Sequence, residues 1–188
     1  MPPKIKTTKE DIIKTALELC RNDGEGAINA RSIARTLGCS TQPIFSNFKS
    51  MEELEEAVTA RAYETYLGFL ENEAKNKEYP RYKAFGMAYI RFAKEEKELF
   101  KLLFMCDRKG KNLTPTADFE ESVQMIMKIN GIKSKEKAEL FHLEMWACTH
   151  GIATMLATSF LELDTELISN MITDIYSGLS ARYTAEVK

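Results

Sequence analysis

The stretch Ile33-Ala-Arg-Thr-Leu-Gly-Cys-Ser40, continued by Thr41-Gln-Pro-Ile-Phe-Ser-Asn-Phe-Lys-Ser50, decides the fold. Ile33, Ala34 and Leu37 recur at helical spacing and give a short helix over 30–37 an inward face. Gly38 suits the left-handed backbone of a helix stop. A second short helix is predicted over 41–47, with Ser40 as its N-cap and Pro43 in its first turn, where a missing N–H costs little. Ile44, Phe45 and Phe48 are expected to face inward, leaving Thr41, Gln42, Ser46 and Asn47 for the other side. Ala34 is small where two helices would cross, and Cys39 plugs the corner. Upstream, Thr8 and Asp11 pair as a capping box, and Ile12, Ile13, Ala16, Leu17 and Cys20 form one stripe ended by Asp23-Gly24. Two short helices joined by a tight turn, with a longer one behind, are the parts of a helix-turn-helix reader.

The rest of the chain is punctuated in the same all-helical way. Ser50-Met-Glu-Glu53 reads as a second capping box and opens a long helix to about Ala74. Four glutamates, Glu52, Glu53, Glu55 and Glu56, suit the positive end of its dipole. Further helices are predicted over 80–93, 97–105, 115–130, 134–161 and 165–183. No segment keeps the period-two alternation of a strand. The expected fold class is all-α, with a reader domain over 1–50 and a helical domain over 51–188.

Composition narrows the functional classes. The chain has 188 residues, 44% of them hydrophobic and 29% charged, with a net charge of -2. A buried core is affordable, and histone-like coating of nucleic acid is not expected. Basic residues outnumber acidic ones up to Ser50 and are outnumbered beyond it, so the slight acidity belongs to the second part. Cys20, Cys39, Cys106 and Cys148 are widely spaced, which argues against a zinc ribbon or a disulfide scaffold and for free thiols in a reducing cytoplasm. No apolar stretch follows the first lysines, so no secretory leader is expected. The uncharged run from Met145 to Leu161 is short for a membrane span. No His-Glu-x-x-His, Gly-x-Ser-x-Gly or phosphate-binding glycine loop occurs, so no catalytic residue, metal or cofactor is expected. His142 and Glu139, at helical spacing, read as a solvated pair.

Ile33-Ala-Arg-Thr-Leu-Gly-Cys-Ser40, Pro43-Ile-Phe-Ser-Asn-Phe-Lys-Ser50 and Glu52-Glu-Leu54 together resemble the DNA-binding domain of TetR-family transcriptional regulators. The resemblance spans about Thr8 to Ala57. It implies a recognition helix over 41–48, a double-stranded DNA operator as partner, and a regulator that is most often a repressor. The residues it places at DNA are Lys9, Arg31, Ser40, Thr41, Gln42, Pro43, Phe45, Asn47 and Lys49. Gln and Asn have the side chains that pair bidentately with adenine, and the Pro43 ring has the chemistry to touch a thymine methyl. Arg31 and Arg35 fit a phosphate contact or plain solvation equally. The family usually has Tyr at Phe45 and Lys at Met51. Both departures remove phosphate contacts and shift weight to Lys49, Arg31 and Lys9.

Beyond Ala57 the family's pattern fades. Residues 134–161 are apolar around nearly the whole helix, which calls for burial on all sides or a second subunit on one. Leu167, Ile168, Met171, Ile172, Ile175, Tyr176 and Leu179 form one stripe on the last helix. Pairing of these two helices with a two-fold copy would make a homodimer, as the resemblance also implies; capping of the protomer's own core is the other reading. Trp146-Ala-Cys-Thr-His150-Gly151 resembles a Trp-x-x-x-His-Gly signature of one subgroup of TetR-type C-terminal domains. Tyr89, Phe92, Phe104, Trp146 and His150 are the expected lining of a pocket for an apolar or aromatic small-molecule effector, with ordinary core as the alternative. A helical small-molecule carrier without DNA binding is the competing function.

Overall fold

Caps and apolar stripes build nine α-helices and no strand among the residues described by the computed structural model, 7–106 and 117–185. The fold is all-α. The chain divides into two compact units, Met1–Leu67 with Glu96–Cys106, and Gly68–Glu95 with Asp107–Lys188.

In the first unit, α1 (Lys9–Asp23) starts at the expected capping box. Thr8 Oγ1 accepts the Asp11 N–H at 3.1 Å, and the Asp11 carboxylate accepts the Thr8 N–H at 2.9 Å. Its buried face is Ile12, Ile13, Ala16, Leu17 and Cys20. Burial pushes the Cys20 thiol up to about 11, which leaves it unreactive. A 3-10 turn, Glu25–Ala27, leads to α2 (Ala30–Leu37), capped by the Asn29 side chain on the Ser32 N–H at 2.9 Å. Gly38, at φ 64°, ends α2 in the left-handed region. The second short helix, α3, is shorter than expected, Gln42–Asn47. Its N-cap is Thr41 rather than Ser40, and Thr41 makes no side-chain cap bond.

The long helix α4 (Met51–Asn76) begins with a rearranged cap. Ser50 Oγ accepts the Glu53 N–H at 3.4 Å, but the Glu53 carboxylate reaches past Ser50 to the Lys49 N–H at 2.8 Å. The start of α4 buries Leu54, Val58 and Ala62 in the first unit, which therefore runs on past Ser50. Arg61 grips the Glu10 carboxylate of α1 with two bonds of 2.6 and 2.9 Å. The unit is closed by α6 (Lys97–Phe104), which packs on α1, and Arg21 ties to Glu96 at 2.7 Å and to Glu18.

The second unit contains α5 (Arg81–Glu95), α7 (Ala117–Asn130), α8 (Lys135–Ala157) and α9 (Thr165–Ala185). The first two residues of the helix expected over 115–130 lie outside the described residues. At the centre sits α8, packed on α5, α7 and α9. Phe92, Val123, Ile126 and Phe141 are enclosed in this core. The expectation that α8 is buried on all sides does not hold within the protomer. Ala138, Phe141, Met145, Ile152, Ala153 and Leu156 are buried, yet Leu140, Leu143 and Trp146 are each more than 40% exposed. Nor does α8 reach Leu161. Ser159 turns at φ 56°, and Phe160 and Leu161 follow it into an exposed connection.

Candidate DNA-binding and effector-binding sites

Ile44 and Phe48, one helical turn apart, are buried and hold α3 against its unit. Phe45 was expected beside them but is 53% exposed. The reason is helical phase: one residue on from Ile44 is about 100° round the axis. With the inward side filled by Ile44 and Phe48, the Phe45 ring points outward. Gln42 and Ser46 are also exposed, while Thr41, Pro43 and Asn47 are half-buried. Ser46 Oγ donates to the Gln42 carbonyl at 2.9 Å, and Asn47 Nδ2 donates to the Pro43 carbonyl at 2.7 Å. Both short polar side chains thus spend donors on their own helix, as such residues commonly do.

The basic side chains expected at DNA divide into two groups. Arg31 and Lys49 are exposed, as are Arg35 and the small Ser40. Lys9 is engaged: its ammonium pairs with Glu53 at 3.2 Å and sits 4.6 Å from the centre of the Phe48 ring. The Lys49 N–H first, and Lys9 second, hold the Glu53 carboxyl below the usual carboxylate range. Glu53 thereby ties the end of α3 to the start of α4 and to α1. No signal in the sequence beyond the Ser50-x-x-Glu53 spacing announced this three-way contact.

In the second unit, Tyr89 of α5 donates to or accepts from His150 Nδ1 at 2.8 Å, and the Trp146 ring lies 5.9 Å from the imidazole. Tyr89 is buried, His150 half-buried and Trp146 substantially exposed, so Trp146 is not core filler. Phe92 is enclosed and meets Phe69 edge-on at 5.3 Å. Phe104 belongs to the first unit, where it packs on Tyr66 at 5.2 Å and Phe100 at 5.3 Å. An open groove of about 380 Å³ runs along α1 and the end of α2, lined by Lys14, Thr15, Leu19 and Leu37 among others. None of the five expected effector residues lines it.

His142 was expected in a solvated pair with Glu139. Instead its Nδ1 lies 3.0 Å from the Tyr82 hydroxyl, and its ring meets Phe119 at 4.8 Å. Two Tyr–His pairs thus link α5 to α8. The legible signal was the spacing: Tyr82 and Tyr89 are two turns apart, as are His142 and His150.

Burial lowers the His150 pKa below its ordinary value, so the neutral ring is the form the fold prefers. A histidine whose folded pKa is depressed loses stability as pH falls through its unfolded value of about 6.5. His150→Gln is therefore expected to flatten the fall in melting temperature between about pH 7.5 and 5.5. Parallel profiles for the two proteins would show that His150 protonates without cost.

The first unit carries a helix-turn-helix, and the second is a helical unit with its own core. Residues 82–175, half of the chain, match the family model described as "Tetracyclin repressor-like, C-terminal domain". The chain belongs to this TetR-like family of transcriptional regulators. Three solved structures share its fold. A protein of unknown function from Rhodococcus sp. RHA1 has a TM-score of 0.72 at 20% identity, over 98% of this chain and 100% of that one. A TetR-like transcriptional regulator from the same organism has a TM-score of 0.65 at 13% identity, over 98% of each chain. A transcriptional regulator of Aquifex aeolicus VF5, described as TerR/AcrR family, has a TM-score of 0.56 at 19% identity, over 94% of this chain and 100% of that one. No curated protein matches the sequence. Among the described residues no helix is long and apolar enough to cross a membrane, and no group of His, Cys, Asp and Glu is arranged to hold a metal.

Proposed function

We propose that this chain is a small-molecule-responsive repressor that binds a near-palindromic DNA operator as a homodimer. Residues 1–50 carry the DNA contacts and residues 51–188 the effector site and the dimer interface. The observation that carries this reading is α3. Its exposed side presents Gln42, and Lys49, Arg31 and Arg35 of the same unit are exposed, so the unit offers a base-reading amide together with phosphate-seeking cations. Ser40, Thr41, Pro43 and Asn47 shape the start and body of that surface, and Lys9 supports it through Glu53 and Phe48. Two such helices, one per protomer, would enter successive major grooves about one helical turn apart.

The dimer reading is supported by α8. Leu140, Leu143, Ala147, Gly151 and Thr154 recur at three- and four-residue spacing, and all are exposed or half-exposed in the protomer. A Cβ at Gly151 would stand in open space, so nothing in the protomer requires glycine there. A mid-helix glycine costs roughly 0.5–1 kcal/mol relative to alanine. Close approach of a second helix gives a reason for it. The effector, apolar or aromatic, is assigned to the neighbourhood of Tyr89, Phe92, Trp146 and His150. It releases DNA by binding the DNA-free state more tightly.

The test begins with selection of fragments from the source genome by the full-length protein at low salt. A sequence-specific site is expected. Gln42→Ala should weaken that site by roughly 1–3 kcal/mol per half-site and relax base preference at one position. Lys49→Ala should weaken all sequences alike and reduce the salt slope by about one. Failure to select any sequence would end this reading.

A further inference from the structure

The outward chemistry of α3 is narrower than its sequence suggests. Ser46 and Asn47 donate to the carbonyls of Gln42 and Pro43, four residues earlier in each case. That leaves Gln42 and Phe45 as the exposed side chains with reach. The 53% exposure of Phe45 has no use in the core, because Ile44 and Phe48 already fill the inward side. A phenyl ring also has no hydroxyl with which to contact a phosphate. It can act on a duplex only through apolar contact, and the apolar group that base pairs display in the major groove is the thymine C5-methyl.

Gln42 and Phe45 are three residues apart on one helix, which puts their Cβ atoms about 5–6 Å apart. Successive base pairs rise about 3.4 Å. The two side chains therefore address base pairs within about two steps of each other. The Gln42 amide matches adenine N6 and N7, and the Phe45 ring matches a thymine methyl, so both select A·T pairs.

We propose that Phe45 is a specificity-determining residue that reads a thymine methyl group in each operator half-site, within about two base pairs of the one read by Gln42. This rests on the reading of the chain as an operator-binding dimer. The ligand is thus a duplex whose half-sites carry a thymine at a fixed position, distinguished from uracil by one methyl group.

The experiment substitutes deoxyuridine for each thymine of the selected operator in turn, which deletes the methyl and leaves the base pair intact. With full-length wild-type protein, one position per half-site is expected to lose about fourfold in affinity, the worth of one buried methyl group. Substitution in both half-sites should cost roughly fifteenfold on the same scale. Phe45→Ala should bind the thymine and deoxyuridine operators equally at that position, because the cycle isolates the ring–methyl pair. Phe45 is exposed, so Phe45→Ala should keep the wild-type melting temperature, which is measured alongside. Loss of the methyl without effect at every position overturns the proposal. So does a methyl effect that persists in Phe45→Ala, which would assign the contact to another group such as the half-buried Pro43 ring. Selection of no operator at all by wild-type protein is a different failure, and it removes the dimeric-regulator reading itself.

Discussion

Leu143→Glu is expected to convert the proposed dimer into a folded monomer and to weaken binding to the proposed operator by roughly 10²–10⁴-fold, the loss that follows when two linked binding events become independent. Leu143 is 43% exposed in the protomer, so its replacement disturbs little of the protomer's own packing. Substitutions at such positions usually change stability by within about 0.5 kcal/mol, and glutamate is a good helix former. In a two-fold interface the same change counts twice, and each carboxylate would have to leave water without a partner. Leu140, at 46% exposure, lies on the same stripe and should behave alike. Light scattering should report half the wild-type mass with unchanged helical ellipticity. A Leu143→Glu protein that stays dimeric, or one that binds the operator as wild type does, would remove α8 from the interface.

The elements that were legible from sequence share a physical property: their signals are local. The Thr8–Asp11 box, the Gly38 stop and the start of α9 each depend on residues within one turn, and each stands where the spacing put it. Phe45 shows where periodicity alone runs out. Ile44, Phe45 and Phe48 are all apolar, and only the position of the underlying helix decides which two turn inward. The end of α8 shows the same limit. Thr158, Ser159, Phe160 and Leu161 continue an uncharged run, but the positive φ of Ser159 breaks the helix after Ala157. The Tyr82–His142 and Tyr89–His150 pairs join residues 60 and 61 positions apart, a distance over which no single-sequence pattern constrains contact. The sites divide likewise. The proposed reader surface is a short contiguous segment with a strong register. The residues expected around an effector come from several helices, and Phe104 falls in the other unit.

Phe141→Ala is the substitution expected to cost the fold most, about 3–5 kcal/mol, in the range found for aromatic truncations in cores. Phe141 is wholly enclosed on α8 and meets Tyr176 and Tyr183 of α9 at 5.4 and 5.5 Å. The magnitude depends on whether those two rings can relax into the void. Both are tethered at the far end: the Tyr176 hydroxyl bonds Asn130 at 2.9 Å, and the Tyr183 hydroxyl bonds Glu144 at 3.0 Å. Collapse would break a part-buried hydrogen bond on either side, so the cavity should persist and the cost fall in the upper part of the range. Melting should drop by roughly 6–20 °C for a chain of this size. Phe141→Leu should drop less, because most of the volume remains. A fall of under about 3 °C for Phe141→Ala would mean that the rings do fill the space. The concentration dependence separates this effect from that of Leu143→Glu. Wild type and Phe141→Ala should both melt higher as protein concentration rises, as association requires, whereas Leu143→Glu should melt at one temperature throughout.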